Sequence, residues 1–426
     1  MLVNLNAKMA PLGKVYEHRP EHPSTLLDGV YFSMYDFRFY DSHGHLLNKP
    51  WAAYSTHQFE LGFDFGECTS PSGEHVRIEG RVITPLSLSE LIRQPEPATP
   101  KTISVYQQTC YTWMAAWGFN TQDPIFSKAT AIDYALISIV CAPDIPLERQ
   151  RLQLIFWIVI FLFDDIMDNF AHFNNGRLIT IKQNHDCTEV FCTIMKGGIL
   201  NIEGITIDYA CYPYFIPLCN ALLDYRQETL KASGSSGAAQ YFIDSWVVYM
   251  RSVVWGTADT TAGDTALDTT DSGFITRAYF FKRSITIGIV PNFELICLLR
   301  AFSLAAEIRE HPLFSYLNYQ LSLYTSLVND TVSLKKELIN GETENFALLH
   351  RDHGTTQQHV NEAVHHLNNF VVDYNEIAKR LLLIWPDDDS LQTYVAYGRG
   401  WMIAQWQWMT LINRYGVPPL DCHIIL

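Results

Sequence analysis

From about residue 103 onward, apolar residues recur every three to four positions over long stretches, which gathers them on one face of an α-helix. The spacing predicts helices over roughly 103–118, 126–141, 146–170, 213–232, 238–255, 273–288, 291–308, 312–339, 357–383 and 390–414. So many amphipathic helices with few strands between them make residues 101–426 one all-α domain. Between the helices, Gly234-Ser235-Ser236-Gly237 reads as a flexible break and Gly256 to Gly273 as a Thr/Asp/Gly-rich loop, while residues 174–210 suit a hairpin or irregular insert. Residues 1–100 differ. Tyr31–Tyr40 and His75–Ile83 alternate enough for short strands, and Arg93–Pro100 carries three prolines, as a linker does. This part is expected to be an irregular, short-strand extension that packs on or caps the helices.

Two acidic patches then limit what the domain can do. The apolar run Leu154–Phe163 is too short to span a bilayer and runs into Asp164-Asp165-Ile166-Met167-Asp168. Far downstream lies Asn329-Asp330-Thr331-Val332-Ser333-Leu334-Lys335-Lys336-Glu337. At helical pitch Asp164 and Asp168 share one face, and Asn329, Ser333 and Glu337 share another, with Lys336 beside them. Oxygen donors held this way suit Mg²⁺, which is normally gripped by a few carboxylates while a substrate phosphate and waters complete its shell. The pattern reads as a metal-bridged diphosphate site.

Both patches match, position by position and in order, the DDxxD and (N,D)Dxx(S,T)xxxE motifs, and in this the chain resembles the class I terpene synthases. Arg283, 46 residues before Asn329, lies in Lys282-Arg283-Ser284-Ile285-Thr286-Ile287-Gly288, which is similar to that family's pyrophosphate-sensor segment. Asn413-Arg414-Tyr415 resembles its terminal Arg-Tyr pair. The resemblance covers about residues 105–416 and implies an isoprenoid-synthase helical bundle holding three Mg²⁺ ions. It implies Asp164 as the bridging ligand of two ions with Asp168 assisting, and Asn329, Ser333 and Glu337 as ligands of the third. Arg283, Lys336, Arg414 and Tyr415 would hold the diphosphate. Asp165 points about 100° from Asp164 and would support the site from behind through a salt bridge to Arg283. Thr286 and the peptides through Ile287 and Gly288 fall where the family breaks a helix, so that backbone carbonyls can meet a cation, and Gly288 suits such a break. Phe161 and Trp408 are either cation-facing cavity rings or plain core.

The expected activity is that of a microbial, fungal-type sesquiterpene cyclase. It would ionise farnesyl diphosphate and release a hydrocarbon, with humulene-type 1,11-closure as the first guess. A chain-elongating prenyltransferase is the closest alternative, and a non-catalytic helical scaffold stands outside enzymes altogether. No DxDD motif is present, which disfavours cyclisation started by protonation. With 45 acidic against 30 basic residues and a net charge of −15, the chain lacks the basic balance that nucleic-acid binding needs. Nine cysteines without a CxxC pair, and an N-terminus with no apolar core, suggest a reduced cytoplasmic setting. Monomer and homodimer stay open. Asp387-Asp388-Asp389 reads as a helix cap, and His350, His353, His359, His365 and His366 lack zinc spacing and read as a solvated helix face.

Overall fold

A computed structural model describes residues 30–33, 38–41, 46–47, 58–70, 73–87, 100–126, 132–142, 145, 147–168, 181–198, 214–233, 238–261, 272–340, 344–349, 354–412, 414–418 and 421–424. Its helices are α1 (Pro100–Trp117), α2 (Tyr134–Cys141), α3 (Leu147–Asp168), α4 (Ile181–Lys196), α5 (Phe215–Ser233), α6 (Ala238–Thr261), α7 (Ser272–Thr286), α8 (Ile289–Leu299), α9 (Ala306–Arg309), α10 (Pro312–Asn340), α11 (Thr356–Ile384) and α12 (Asp389–Leu411). The expectation of an all-α bundle therefore holds, and among the described residues strands occur only before α1 and after α12. Among the described residues no helix is long and apolar enough to cross a membrane.

Local chemistry sets several helix boundaries. Pro312 opens α10, where its missing N–H costs nothing. Thr355 and Gln358 close a reciprocal capping box on α11. Asp388 accepts from Leu391 N at 2.7 Å and starts α12, as the cap reading of the triple aspartate requires. Two expectations need correction. Residues 181–196, expected as a hairpin or irregular insert, form a helix whose Cys187, Val190, Phe191, Ile194 and Met195 are buried, a three-to-four spacing that the polar Asn184 and Thr188 on the same buried face obscured. The loop expected from Gly256 begins later, because α6 runs on to Thr261. A helix already about five turns long tolerates one glycine at a cost of about 1 kcal/mol. The break at residues 234–237 and most of the proline linker lie outside the described residues, as do His350 and His353.

The strands are β1 (Val30–Ser33), β2 (Arg38–Asp41), β3 (Leu46–Leu47), β4 (Gln58–Thr69), β5 (His75–Ser87) and β6 (Asp421–Ile424). The first three form one antiparallel sheet, and a second has the order β5-β4-β6, so the far end of the chain pairs with β4. The β4–β5 hairpin lies on α11 and α12. Phe63 stacks on Trp406 with ring centroids 5.2 Å apart. The Glu74 carboxylate accepts from the backbone N–H groups of Thr356 and Gln357 at 3.0 and 3.1 Å, filling the open N-terminus of α11. Asn368 accepts from Ile83 N at 2.7 Å and donates to Arg81 O at 3.1 Å, so a helix side chain satisfies strand backbone. Gly80 sits where these layers touch; a Cβ there would lie 2.6 Å from Val364.

Inside the bundle α3 is buried along Leu152–Ile160. Antiparallel to it runs α8. Arg149 donates to Leu299 O at 2.7 Å at one end of this seam. At the other end Ile160 and Tyr249 press on Gly288 so closely that a Cβ would lie 2.6 Å from Ile160 Cδ1.

Candidate functional site

The first acidic patch closes α3, and the second lies two-thirds along α10, as the helical spacing requires. Asp164 is half-buried and accepts from the Tyr249 hydroxyl at 3.4 Å. Asp168 ends α3, but its side chain lies outside the described residues. On α10, Glu337 accepts from Asn345 Nδ2 at 2.7 Å, and the Ser333 hydroxyl donates to Asp330 O at 3.5 Å. Asn329 Oδ1 accepts from Arg283 Nη2 at 3.3 Å.

Asp330 anchors the second patch from behind. It is buried, accepts from the Tyr279 hydroxyl in a short hydrogen bond, takes Phe346 N at 3.2 Å and pairs with Arg283 at 3.3 Å. Burial pushes its carboxyl above the usual range, against the pull of Arg283 and Tyr279. Burial and then the Asp330 charge likewise raise Glu337, while Ser333, Asn345 and Lys336 pull it down. Lys336 is half-buried next to it in sequence.

Arg283 stands between the two patches. Burial works against its charge, but Tyr279, Asp330, Glu337 and Asp164 together hold its guanidinium above the ordinary arginine range. Tyr415 senses both patches too. Burial pushes its phenol up to about 12, Arg414 pulls it down, and Glu337, Asp165 and Asp164 push it up. Arg414 lies 3.4 Å from the buried Asp165. The expected partner of Asp165 was Arg283, and this needs correction. The rotation of about 100° per residue that takes Asp165 away from Asp164 turns it toward the segment after α12. There Arg414 meets it, and Arg283 pairs with Asp330 instead.

The helix break is present. Between α7 and α8 the chain turns at Ile287 and Gly288, with Gly288 left-handed at φ 70° and ψ 16°. The Arg283 carbonyl accepts from Ile287 N and from the Ser326 hydroxyl. On α3, Phe161 is half-buried although its neighbours Ile160 and Leu162 are buried. Its ring lies 5.9 Å from Tyr134, 6.0 Å from Trp157 and 5.6 Å from Trp408. Trp408 is fixed by its indole N–H donating to Ile132 O at 3.0 Å, and its ring meets Tyr415 edge-on at 6.4 Å. The aromatic wall thus continues into the charged end.

Do these residues fit a metal-bound diphosphate? Among the described residues no three His, Cys, Asp or Glu side chains converge on one point, and Asn329 and Ser333, two of the three oxygens expected from α10, are outside that set. The donor chemistry fits nonetheless. Every candidate ligand offers hard oxygen, the preference of Mg²⁺. Arg283 Nε, Arg414 Nη1 and the Thr286 hydroxyl are buried without a hydrogen-bond partner among the described residues, a cost that an incoming polyanion would remove for both arginines.

Sequence reasoning missed Tyr279, Tyr249, Asp330 as an anchor, and Asn345. Tyr279 lies four residues before Arg283 on the same face, a signal that could have found it. Asn345 comes from a separate segment after α10 and carried none.

Residues 156–373, just over half of the chain, match the family model described as terpene synthase family 2, C-terminal metal binding. A (+)-eremophilene synthase of Sorangium cellulosum (strain So ce56) is 21% identical over 321 residues, 73% of this chain and 87% of that protein. The solved structure of an α-eudesmol synthase superposes with a TM-score of 0.59 at 15% identity, covering 74% of this chain and 96% of that one. A linalool/nerolidol synthase from Streptomyces clavuligerus, solved in complex with 2-fluorogeranyl diphosphate, gives 0.57 at 17% identity over 74% and 97%. At such identities the structures speak for the fold. With the family model matched across α3 to α11, the chain belongs to the terpene synthase family and is a class I terpene cyclase.

Proposed function

We propose that this cyclase takes farnesyl diphosphate with Mg²⁺, ionises it, closes a ring and releases diphosphate. The observation that carries the reading is the position of Arg283 and Tyr415, each sensing both Asp164 and Glu337. Asp164 and Asp168 would hold two ions, and Asn329, Ser333 and Glu337 the third. When bound, the ions supply Lewis-acid neutralisation of the departing diphosphate. Arg283, Arg414, Lys336 and Tyr415 bind its oxygens, and because both arginines are largely withdrawn from water their charges act at full strength where negative charge grows. Asp165 positions Arg414 by pairing with it. Thr286 and the backbone at Gly288 turn polar groups toward the cation, and the faces of Phe161 and Trp408 stabilise it by about 0.5–2 kcal/mol each. Humulene-type 1,11-closure is the first ring we propose, and proton loss within the aromatic wall gives the hydrocarbon. The fungal type, the cytoplasmic setting and residues 1–100 as an extension bracing α11 belong to the same proposal.

Incubation with ten-, fifteen- and twenty-carbon prenyl diphosphates separately, each with Mg²⁺, tests it by mass spectrometry of volatile products. The fifteen-carbon substrate alone should give a cyclic product, and Asp164→Ala or Asn329→Ala should lower turnover at least about 100-fold. Product that forms only when isopentenyl diphosphate is added would instead make the chain an elongating prenyltransferase. No diphosphate release from any substrate would leave the scaffold reading.

A further inference from the structure

The inner face of α3 carries polar groups that the site above does not use. Gln153 and Trp157 lie within about 20° of the Asp164 line along the helix, which puts them on the metal-bearing face but about 16 and 10 Å deeper. Gln153 is 0% exposed and Trp157 4%. Neither atom of the Gln153 amide has a hydrogen-bond partner among the described residues, and the Trp157 indole N–H has none. Trp157 belongs to the same aromatic wall. Its ring stacks on Phe161 at 6.0 Å and on Trp401 at 5.6 Å.

Across the seam, α8 supplies a second orphaned amide. Asn292 is 0% exposed, and both its amide atoms lack a partner among the described residues. It lies one turn beyond Gly288, on the side of α8 that Ile160 touches. The Ile160–Gly288 contact and the Arg149–Leu299 hydrogen bond are eleven residues apart on each helix, so they fix the antiparallel register between them. That register sets Asn292 level with Phe156, between Gln153 and Trp157, and about 4.5 Å along the axis from Gln153.

Buried amides without partners are costly, and two of them beside an indole N–H in one seam call for a shared ligand. A single water matches the set. It can donate to the two amide oxygens and accept from an amide or indole N–H, within the two to four partners a buried water takes. The charged neighbours on these helices are already committed, Arg149 to Leu299 O and Glu294 to Arg309, which favours a neutral ligand over an ion.

Resting on the cyclase reading, we infer that Gln153, Asn292 and Trp157 hold a water at the inner end of the hydrocarbon site, and that this water captures part of the carbocation as a cyclic alcohol formed beside the hydrocarbon. A lone pair of the water oxygen makes the new C–O bond, which moves the positive charge from carbon to oxygen. The resulting oxonium gives up one proton, which ends on the released diphosphate, the base that ionisation supplies. The sum is prenyl diphosphate plus water giving alcohol plus protonated diphosphate. Gln153 and Asn292 act as positioning residues, since they hold the water and not the reacting carbon.

The full chain with farnesyl diphosphate and Mg²⁺ in ¹⁸O-labelled water tests this by mass spectrometry. A labelled cyclic alcohol is expected beside an unlabelled hydrocarbon, and its ratio to the hydrocarbon should fall about tenfold in Gln153→Leu/Asn292→Leu, the equivalent of one lost hydrogen bond. Hydrocarbon formation reports that the variant is folded, and Asn292→Leu alone gives a milder second variant with the same direction. Hydrocarbon with no labelled alcohol in the wild type would overturn the inference and leave the cyclase standing. So would an unchanged ratio in both variants. Absence of any product would overturn the cyclase reading and this inference with it.

Discussion

Gly288→Ala probes the helix break directly. Gly288 has φ 70° and ψ 16°, a left-handed conformation that costs a residue with a Cβ about 1–2 kcal/mol. The added methyl would lie 2.6 Å from Ile160 Cδ1 and 3.0 Å from Tyr249 Cε2, and overpacking of this kind costs about 1–3 kcal/mol. Alanine also narrows the unfolded chain, which returns about 0.4–1 kcal/mol. The net loss is therefore about 1–4.5 kcal/mol, read as a lower urea midpoint at unchanged slope. Ile160→Val separates the two causes, because it removes the nearest atom of the clash. Alone it should cost about 0.5–1.5 kcal/mol. Combined with Gly288→Ala it should recover about 1 kcal/mol relative to the sum of the single changes. A loss below about 0.5 kcal/mol for Gly288→Ala, or additivity within about 0.5 kcal/mol in the double variant, would refute the account of a glycine required by backbone and contact together.

Glu74→Gln should lower stability by about 0.5–2 kcal/mol at neutral pH, the range for a lost helix cap, with no change in turnover. Burial raises the Glu74 pKa, but the backbone N–H groups of Gln357 and Thr356 carry it below the ordinary value. Its contribution is thus complete above the unfolded carboxyl pKa and disappears as pH falls through the folded one, so wild type and variant should converge in acid denaturation series. Arg414→Met or Asp165→Leu alone should cost about 3–5 kcal/mol, because each strands a buried charge, whereas the double variant should cost clearly less than the sum in thermal unfolding. Equal and additive losses would show that the two residues do not act as a pair.

What the sequence made legible follows from which interactions are local. Asp164 and Asp168, or Asn329, Ser333 and Glu337, are spaced by the pitch of a single helix, so their faces could be read without any tertiary knowledge. Gly288 was legible because a glycine after a helical run marks a place where the chain turns. The partner of Asp165 was not. Whether Arg283 or Arg414 reaches it depends on how α7 and the segment after α12 dock, and no spacing encodes that. Asn345, which holds Glu337 and the Asp330 carbonyl, comes from a short segment folded back on α10. Helix α4 was obscured because its buried face uses Cys, Asn and Thr, residues with weak preference for any one structure. The Gln153–Asn292 seam needed the α3–α8 register before two ordinary amides could be seen as neighbours.

The pairing of β4 with β6 has a consequence for how the molecule is made. Leu61 faces Cys422 in that sheet, so the Phe59–Gly62 part of one β4 edge waits for a strand synthesised about 360 residues later. Until then that stretch carries open amides and carbonyls, the kind of margin on which nascent chains stick to each other. Expression yield should therefore depend on the integrity of residues 421–424 more than their distance from the catalytic helices would suggest.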